Sequence, residues 1–155
     1  MLLRALLAFV FLPGVIAYAI PLTLGVISRG AIRHPIVGTA LASAGTALLL
    51  ICVREFYVSG RGTLAPWSPP RHLVMTGPYR YSRNPMYLGV LTILAGWAAL
   101  WSSADLAIYF VVILIGFVLR VWLHEEPWAE RTFGTAWHSY KARVPRWLGT
   151  GRLRG

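Results

Sequence analysis

The sequence predicts an all-α integral membrane protein with about four transmembrane helices and a cytosolic amphipathic helix near the C-terminus. Of its 155 residues, 57% are hydrophobic and only 13% are charged, and the mean hydropathy is +0.60. Apolar segments long enough to cross a bilayer recur along the chain. Because this length accommodates one domain, we expect residues 1–155 to form a single domain.

Four apolar segments form the predicted spans. They run from about Ala5 to Ile27, from Ile36 to Val53, from near Tyr87 to around Trp101, and from Leu106 to Leu123. Pro13 and Pro21 predict a kink or a break in the first span, because proline removes a backbone donor. The second span is rich in glycine and alanine, which permit close helix packing.

The distribution of basic residues predicts the orientation. The connection between the third and fourth spans holds no lysine or arginine, and Ser103 or Asp105 can cap the helix that follows it. Basic residues instead occupy the connection between spans two and three and the C-terminal tail: Arg54, Arg61, Arg71, Arg80, Arg83, Arg131, Lys141, Arg143, Arg146, Arg152 and Arg154. The positive-inside rule places both regions in the cytosol. Arg29 and Arg33, in the predicted external loop, run against this assignment.

Several other classes are disfavoured. The net charge of +10 does not indicate nucleic acid, because the basic residues lie between or after apolar spans. Ala17-Tyr18-Ala19 imitates a signal-peptide cleavage site, but apolar residues resume after Pro21, which favours an uncleaved helix. Cys52 lies among aliphatic residues and is expected to be a buried hydrophobe. No cluster of potential ligands has metal-site spacing, so no metal site is predicted.

A separate amphipathic helix is predicted after the fourth span. Pro127 should prevent a smooth continuation and push Glu126 away from helical geometry, so that a new helix starts with Pro127 in its first turn. An apolar stripe then recurs at helical spacing up to about Lys141: Ala129, Phe133, Ala136, Trp137 and Tyr140. This helix is expected to lie on the membrane surface or to fold back over the polar loop.

The adjacent carboxylates Glu125 and Glu126 lie at the predicted cytosolic exit of the fourth span. Carboxylates are costly beside hydrocarbon unless they have a partner or a ligand. One interpretation is structural, with helix capping and a salt bridge to Arg120 or Arg131. The other is functional, with one carboxylate holding an ammonium group or the ribose hydroxyls of a cofactor.

The stretch from Thr76 to Gly89, TGPYRYSRNPMYLG, is the second concentration of polar groups. Asn84 as N-cap and Pro85 in the first turn would explain a helix start. They would not explain Arg83 and Tyr87, and the free N–H groups of a helix start suit a carboxylate or a phosphate. Gly60-Arg61-Gly62 alone is a weak signal for backbone approach to a nucleotide.

Taken together, these segments become recognisable. LAPWSPPRHLVMTGPYRYSRNPMYLGV, followed by HEEPWAERTFGTAWHSYKARVPRWL, resembles the isoprenylcysteine carboxyl methyltransferase and phospholipid methyltransferase superfamily over roughly Gly60 to Leu148. The family pattern (R)(H/N)PxYxG is matched by Arg83, Asn84, Pro85, Tyr87 and Gly89. The isoprenylcysteine branch usually has His where this chain has Asn84, whereas NPMY is closer to the phosphatidylethanolamine version. The acceptor therefore stays open between a carboxylate, an amine and a thiol.

The resemblance implies S-adenosylmethionine as cofactor, bound at the cytosolic end of the last spans, and a lipid or lipophilic acceptor. It assigns Glu125 and Glu126 to the methionine moiety, and Gly60 and Gly62 could correspond to the family's GxG element. The remaining implied cofactor contacts are Tyr79, Tyr81 and Pro85. Arg83, Asn84 and Tyr87 are expected to orient cofactor and acceptor as the catalytic group. A lipid would enter sideways, through a gap left by the small residues of the second span and Gly96.

Two other functions remain possible at this stage. An NADPH-dependent membrane reductase of the sterol-reductase type shares a similar C-terminal architecture, including an NPxY-like region and a tail ending in VPR. A non-catalytic membrane scaffold would explain the spans and the basic loops but not the polar constellation. For the methyltransferase, we expect a multi-pass protein of a bacterial inner membrane with its active site facing the cytosol.

Overall fold

The computed structural model describes residues 10–28, 31–60 and 71–148, with side chains from Pro13 onward. This part of the chain is all-helical, which confirms the predicted class. A π-helical segment (Val10–Ala19) leads into α1 (Ile20–Ile27), followed by α2 (Pro35–Val58), a 3₁₀ turn (Gly77–Arg80), α3 (Pro85–Trp101), α4 (Ala104–Arg120), a π-helical turn (Val121–Glu125), α5 (Glu126–Phe133) and α6 (Thr135–Arg143).

Two helical stretches are long and apolar enough to cross a membrane. They are α2 and the continuous stretch Ala104–Phe133, in which α4, the π-helical turn and α5 follow one another without a break. Two further apolar helices, Pro13–Ile27 and Pro85–Trp101, are shorter. By length alone, the described residues therefore show two candidate spans where the sequence predicts four.

Glycines bring α2 and α3 into backbone contact. A Cβ atom added to Gly45 would lie 2.6 Å from the carbonyl oxygen of Gly89, and one added to Gly96 would lie 2.7 Å from that of Gly38. Such distances are shorter than real Cβ contacts, so only glycine fits at these positions. The predicted gap for lipid entry between these helices is therefore wrong, because the small residues close the interface instead of opening it.

Replacing Gly45 by alanine is expected to destabilise the protein by about 1–3 kcal/mol, because the new methyl group has no space and the helices must separate. Thermal unfolding in detergent measures this as a lower Tm. Gly116→Ala is the matched control, since nothing lies within 4 Å of a Cβ atom at that position. An equal loss of Tm in both variants would contradict the close α2–α3 packing.

The first helix, which consists of the π-helical segment and α1, continues through Pro13 and Pro21 without interruption. Pro21 has no N–H, so carbonyl oxygens one turn earlier lose their usual helical donor. Two side chains from other helices replace it: the Trp97 indole donates to the Ala17 oxygen (2.8 Å), and the Tyr109 hydroxyl donates to the Ile16 oxygen (3.0 Å). The predicted break is therefore absent, and the distortion takes the form of widened π-helical turns.

The loops at the end of the helices opposite the start of α3 lie together. Ser102 ends α3 in the left-handed region (φ 45°), and the Ser28 and Ser103 hydroxyls lie 3.3 Å apart. The Arg33 amide donates to the Leu100 oxygen (3.0 Å), which places Arg33 at this end, opposite the start of α3. The charge of Arg33 therefore still runs against the orientation that the positive-inside rule predicts. Arg29 lies outside the described residues. Within the possible cleavage site, Ala17 is fully buried.

The C-terminal region differs from the prediction in two ways. Glu126 keeps helical geometry (φ −65°, ψ −46°), because the widened turn before it accommodates the Pro127 ring, so the predicted break in the chain direction is wrong. The predicted start of a helix with Pro127 in its first turn is confirmed, since α5 begins at Glu126. The break falls instead at Gly134, whose positive φ of 48° divides the predicted amphipathic helix into α5 and α6. The stripe holds for Ala129, Trp137 and Tyr140, which are buried, but Ala136 is exposed.

Candidate active site

The polar residues of the two segments that carry the family resemblance gather at one end of the helices. The C-terminus of α2, the N-terminus of α3 and the end of α4 share this end, as the antiparallel order of the helices requires. The segment after α6 folds back onto it, and the Arg83 amide donates to the Pro145 oxygen (2.9 Å). Six side chains form what we call the polar cluster: Arg83, Tyr87, Arg120, Glu125, Glu126 and Arg146.

Glu126 is the centre of an ion triad within this cluster, in which Glu126 and Arg83 are buried and the Arg146 side chain is 37% exposed. Arg83 Nη1 lies 2.7 Å from Glu126 Oε1, and both side chains are 8% exposed. Arg146 binds the same carboxylate through both oxygens, with Nε 2.8 Å from Oε1 and Nη2 2.7 Å from Oε2. Three charge-assisted hydrogen bonds therefore fill most of the acceptor capacity of this carboxylate.

The triad sets the electrostatics of its two arginines. Burial lowers the pKa of Arg83, the charge of Glu126 opposes that shift, and the nearby positive charge of Arg146 adds to it. Hydrogen bonding to Glu126 raises the pKa of Arg146. Because an arginine side chain stays protonated after a shift of its pKa in either direction, both side chains remain cationic. The guanidinium of Arg83 also lies 5.5 Å from the ring centre of Trp137.

Glu125 belongs to a second, more open group. Its Oε1 accepts hydrogen bonds from the Tyr87 hydroxyl and from Arg120 Nε, the latter at 2.8 Å. Arg120 Nε also lies 3.1 Å from the Tyr87 hydroxyl, so the three groups form a closed triangle. The Glu125 side chain is 35% exposed. Among the described residues, no hydrogen bond engages Glu125 Oε2, which leaves a fixed carboxylate with one available oxygen.

Asn84 and Pro85 begin α3 as predicted by position, but the Asn84 side chain does not cap the helix. Its amide Nδ2 donates to the Arg146 oxygen instead (3.0 Å), and its backbone N–H donates to the Ser82 hydroxyl (3.1 Å). Pro85 is buried in the first turn of the helix. Asn84 thus connects the start of α3 to the C-terminal segment.

The other residues expected to bind the cofactor are not drawn into the polar cluster. Tyr79 is 5% exposed and packs with Cys52 and Val74, so that Cys52 is indeed a buried hydrophobe. Tyr81 is 70% exposed. Gly60 ends the α2 region, where its oxygen accepts from the Arg71 amide (2.9 Å). Gly62 lies outside the described residues.

An apolar crevice lies directly against Tyr87. It is small and partly open to its surroundings, with a cavity volume of about 40 Å³, and its walls come from the first helix, α3 and α4: Pro13, Ile16, Met86, Tyr87, Val90 and Phe117. The rings of Tyr87 and Phe117 stack with their centres 4.2 Å apart. Tyr87 thus has its ring in an apolar wall and its hydroxyl on Glu125, at the boundary between the crevice and the polar cluster.

Comparison with known proteins identifies the family of this chain. The sequence model of the phospholipid methyltransferase family matches residues 34–136, about two thirds of the chain. The chain belongs to the phospholipid methyltransferase family. A protein of Haemophilus influenzae described as uncharacterized is 39% identical over 64 residues, which cover 41% of this chain and 100% of that protein. No solved structure matches the chain significantly.

Membership of the phospholipid methyltransferase family confirms the resemblance and supports a membrane location. Proteins of this family use S-adenosylmethionine as methyl donor. The chain's own residues fit the polar part of that cofactor. Buried Arg83 Nε and Trp137 Nε1 have no hydrogen-bond partner within the described residues, and both are donors of the kind a carboxylate requires. Glu125 Oε2 supplies an acceptor for an ammonium group.

Sequence reasoning missed two polar residues that the structure connects to the predicted ones. Arg146 was recognised only as a basic residue, although it binds Glu126. Arg120, by contrast, was expected as a possible salt-bridge partner of the paired glutamates, and it binds Glu125. Glu55 was not singled out. It is 8% exposed and accepts hydrogen bonds from Ser59 and Thr76, at the two ends of the connector between α2 and α3. A lone carboxylate in an apolar helix was the available signal for Glu55.

Proposed function

We propose that this protein transfers a methyl group from S-adenosylmethionine to the amine headgroup of a membrane phospholipid. The observation that carries the proposal is the position of Glu125. One carboxylate oxygen is fixed by Tyr87 and Arg120, the other is available, and the group lies at the polar end of an apolar crevice. Such a boundary suits a reaction between a polar cofactor and a lipid headgroup.

The two glutamates receive different roles in this proposal. Glu125 holds the α-ammonium of the cofactor through Oε2, because Tyr87 and Arg120 keep this carboxylate in place. Glu126 is occupied by two arginines and acts by orienting Arg83. Arg83 Nε then faces the carboxylate of the cofactor as a donor. When bound, S-adenosylmethionine supplies an electrophilic methyl group on a sulfonium centre.

The remaining predicted residues act mainly by alignment, which is what a methyl displacement requires of a protein. Tyr87 and Phe117 present aromatic faces, which attract cations such as a sulfonium or an ammonium. Pro85 and Asn84 set the start of α3. Gly60 and Tyr81 retain only the support of the family resemblance as cofactor contacts, since none of the described contacts joins them to the polar cluster, and Gly62 lies outside the described residues. The buried Tyr79 hydroxyl has no hydrogen-bond partner within the described residues, which leaves it available as a donor.

An amine acceptor is favoured over a carboxylate for a charge reason. Among the described residues, the three arginines of the polar cluster each bind a glutamate, and Arg83 Nε is assigned to the cofactor, so a carboxylate acceptor would have to compete for these cations. The NPMY sequence and the matching phospholipid methyltransferase model point the same way. The lipid's apolar part would lie along the apolar surface at the crevice between the first helix, α3 and α4.

This proposal includes a four-span topology with a single domain. α3 has 17 residues, at the lower limit for a span, and Pro13–Ile27 is similarly short. Both pack along longer helices, and the polar cluster faces the cytosol by the distribution of basic residues. We place the protein in a bacterial inner membrane. Cysteine accessibility at Ser102 and Arg143 tests this, since only the Arg143 position should be reached from the cytosol.

Calorimetric titration of the detergent-solubilised protein, with S-adenosylmethionine and separately with NADPH, tests the cofactor. Saturable binding of S-adenosylmethionine alone is expected. Transfer of a labelled methyl group to phosphatidylethanolamine in vesicles, with an isoprenylcysteine peptide as the competing acceptor, then tests the substrate. Binding of NADPH alone would indicate a reductase, and binding of neither would indicate a scaffold. Methylation of the peptide only would overturn the amine assignment.

A further inference from the structure

We propose that Arg146 is a positioning residue of the active site, which it serves by fixing Glu126, Arg83 and the start of α3. The inference rests on the proposed function for its catalytic consequence. Arg146 lies beyond residues 34–136, which the family model matches. The resemblance extends over the tail that contains Arg146 but assigns this residue no role, so its part in the site is argued from its contacts in the structure.

The side chain of Arg146 makes a two-point contact with the carboxylate of Glu126. Its Nε and Nη2 bind the two oxygens of Glu126 at 2.8 Å and 2.7 Å in a two-point arrangement. Because Glu126 Oε1 also binds Arg83 Nη1 at 2.7 Å, the position of Arg146 is transmitted through one carboxylate to Arg83. Two-point binding fixes orientation as well as distance.

The backbone around Arg146 holds the same turn from a second side. The Pro145 oxygen accepts from the Arg83 amide (2.9 Å), and the Arg146 oxygen accepts from Asn84 Nδ2 (3.0 Å) and more weakly from the Ser82 hydroxyl (3.4 Å). Side chain and backbone thus act on consecutive residues of one turn. We call Val144–Arg146 the C-terminal clasp.

The C-terminal clasp is itself anchored. Val144 is 1% exposed and packs with Ala129, Trp137 and Tyr140. The buried Tyr140 hydroxyl donates to the Tyr79 oxygen (2.7 Å), which ties α6 to the loop before α3. A clasp anchored in this way can transmit a fixed position, whereas a free tail could not.

Asn84 and Arg83 therefore have different roles at the start of α3. Asn84 uses its amide donor on the C-terminal clasp, so it orients the turn. Arg83 uses Nη1 on Glu126 and keeps Nε free of partners in the described structure. The direction of that remaining donor depends on Glu126, and therefore on Arg146.

Steady-state kinetics of Arg146→Gln test the inference. We expect kcat/KM, corrected for the folded fraction, to fall by on the order of 100-fold, as misplacement of an aligning group does. Arg146→Lys should recover part of the loss, because lysine restores the charge but not the two-point contact. Arg143→Gln is the matched control and should leave kcat/KM unchanged, since Arg143 is exposed and binds only the Ser139 oxygen of its own helix.

Hydrogen exchange of the peptide covering Ser82 to Met86 gives a readout that does not need activity. In Arg146→Gln this peptide should exchange faster, whereas in Arg143→Gln it should not. An unchanged kcat/KM per folded molecule, unchanged exchange, or tighter cofactor binding would each overturn the inference. If Arg146→Gln does not fold, Arg146→Lys carries both measurements. Absence of methyl transfer in the unaltered protein would instead contradict the proposed function, and the exchange result would still decide on the clasp.

Discussion

Glu126→Gln is expected to destabilise the protein by about 3–5 kcal/mol, the cost of removing one partner from a buried ion pair. The variant leaves Arg83 and Arg146 facing each other without the carboxylate that binds both. Glutamine keeps the shape but supplies no charge and adds donors where acceptors are needed. This loss is a large fraction of typical protein stability, so low yield or a low Tm is expected.

The measurement is thermal unfolding of purified protein in detergent, together with the yield of monodisperse material. Glu130→Gln is the control, because the Glu130 side chain is 46% exposed and its contact with His138 is a surface pair. Its Tm should stay close to that of the unaltered protein. A fully stable Glu126→Gln that lost only cofactor affinity would contradict the triad and return Glu126 to direct cofactor binding.

Glu125→Gln is expected to keep the fold and to weaken binding of S-adenosylmethionine by about 10- to 100-fold. A hydrogen bond to a charged group contributes about 1.5–3 kcal/mol, and a factor of ten corresponds to about 1.4 kcal/mol. The fold should survive because the Glu125 side chain is 35% exposed and Arg120 is half-exposed, so water can replace the lost contacts.

Calorimetry measures the affinity and thermal unfolding measures the fold in the same preparation. Asp105→Asn serves as the control, because Asp105 is an exposed acid at the opposite end of α4. Its affinity for the cofactor should be unchanged. The two neighbouring glutamates would then fail in different ways, Glu125 in binding and Glu126 in folding. Unchanged affinity in Glu125→Gln would remove Glu125 from the proposed cofactor site.

The sequence was sufficient for the helical class and for the two polar segments, because hydropathy and residue type are local properties. It also indicated that Glu125 and Glu126 required partners, and it named Arg120 as one of them. It could not reveal that Arg83 and Arg146 share Glu126. That contact joins residues 43 and 20 positions away from Glu126, and it depends on how the tail folds back.

The wrong predictions have physical causes of the same kind. The small residues of the second span were expected to permit close helix packing and, with Gly96, to leave a gap for a lipid. The close packing is confirmed and the gap is wrong, because the partner helix decides which of the two occurs. Pro127 was expected to end a helix, but a single widened turn absorbs its ring. Gly134 does end the helix. Glycine is typical of helix ends, but the apolar stripe on both sides of this residue favoured the prediction of one continuous helix.

The crevice beside Tyr87 bears on how the two faces of a bilayer differ. It has apolar walls and lies next to the polar cluster at one end of the helices. In the proposed reaction, a lipid that entered it from the side would keep its headgroup at that surface and would not cross the hydrocarbon. Product formed in this way would accumulate in a single leaflet. Its appearance in the opposite leaflet would require a separate flipping activity, so the speed of methylation and the speed of transbilayer exchange could be measured independently.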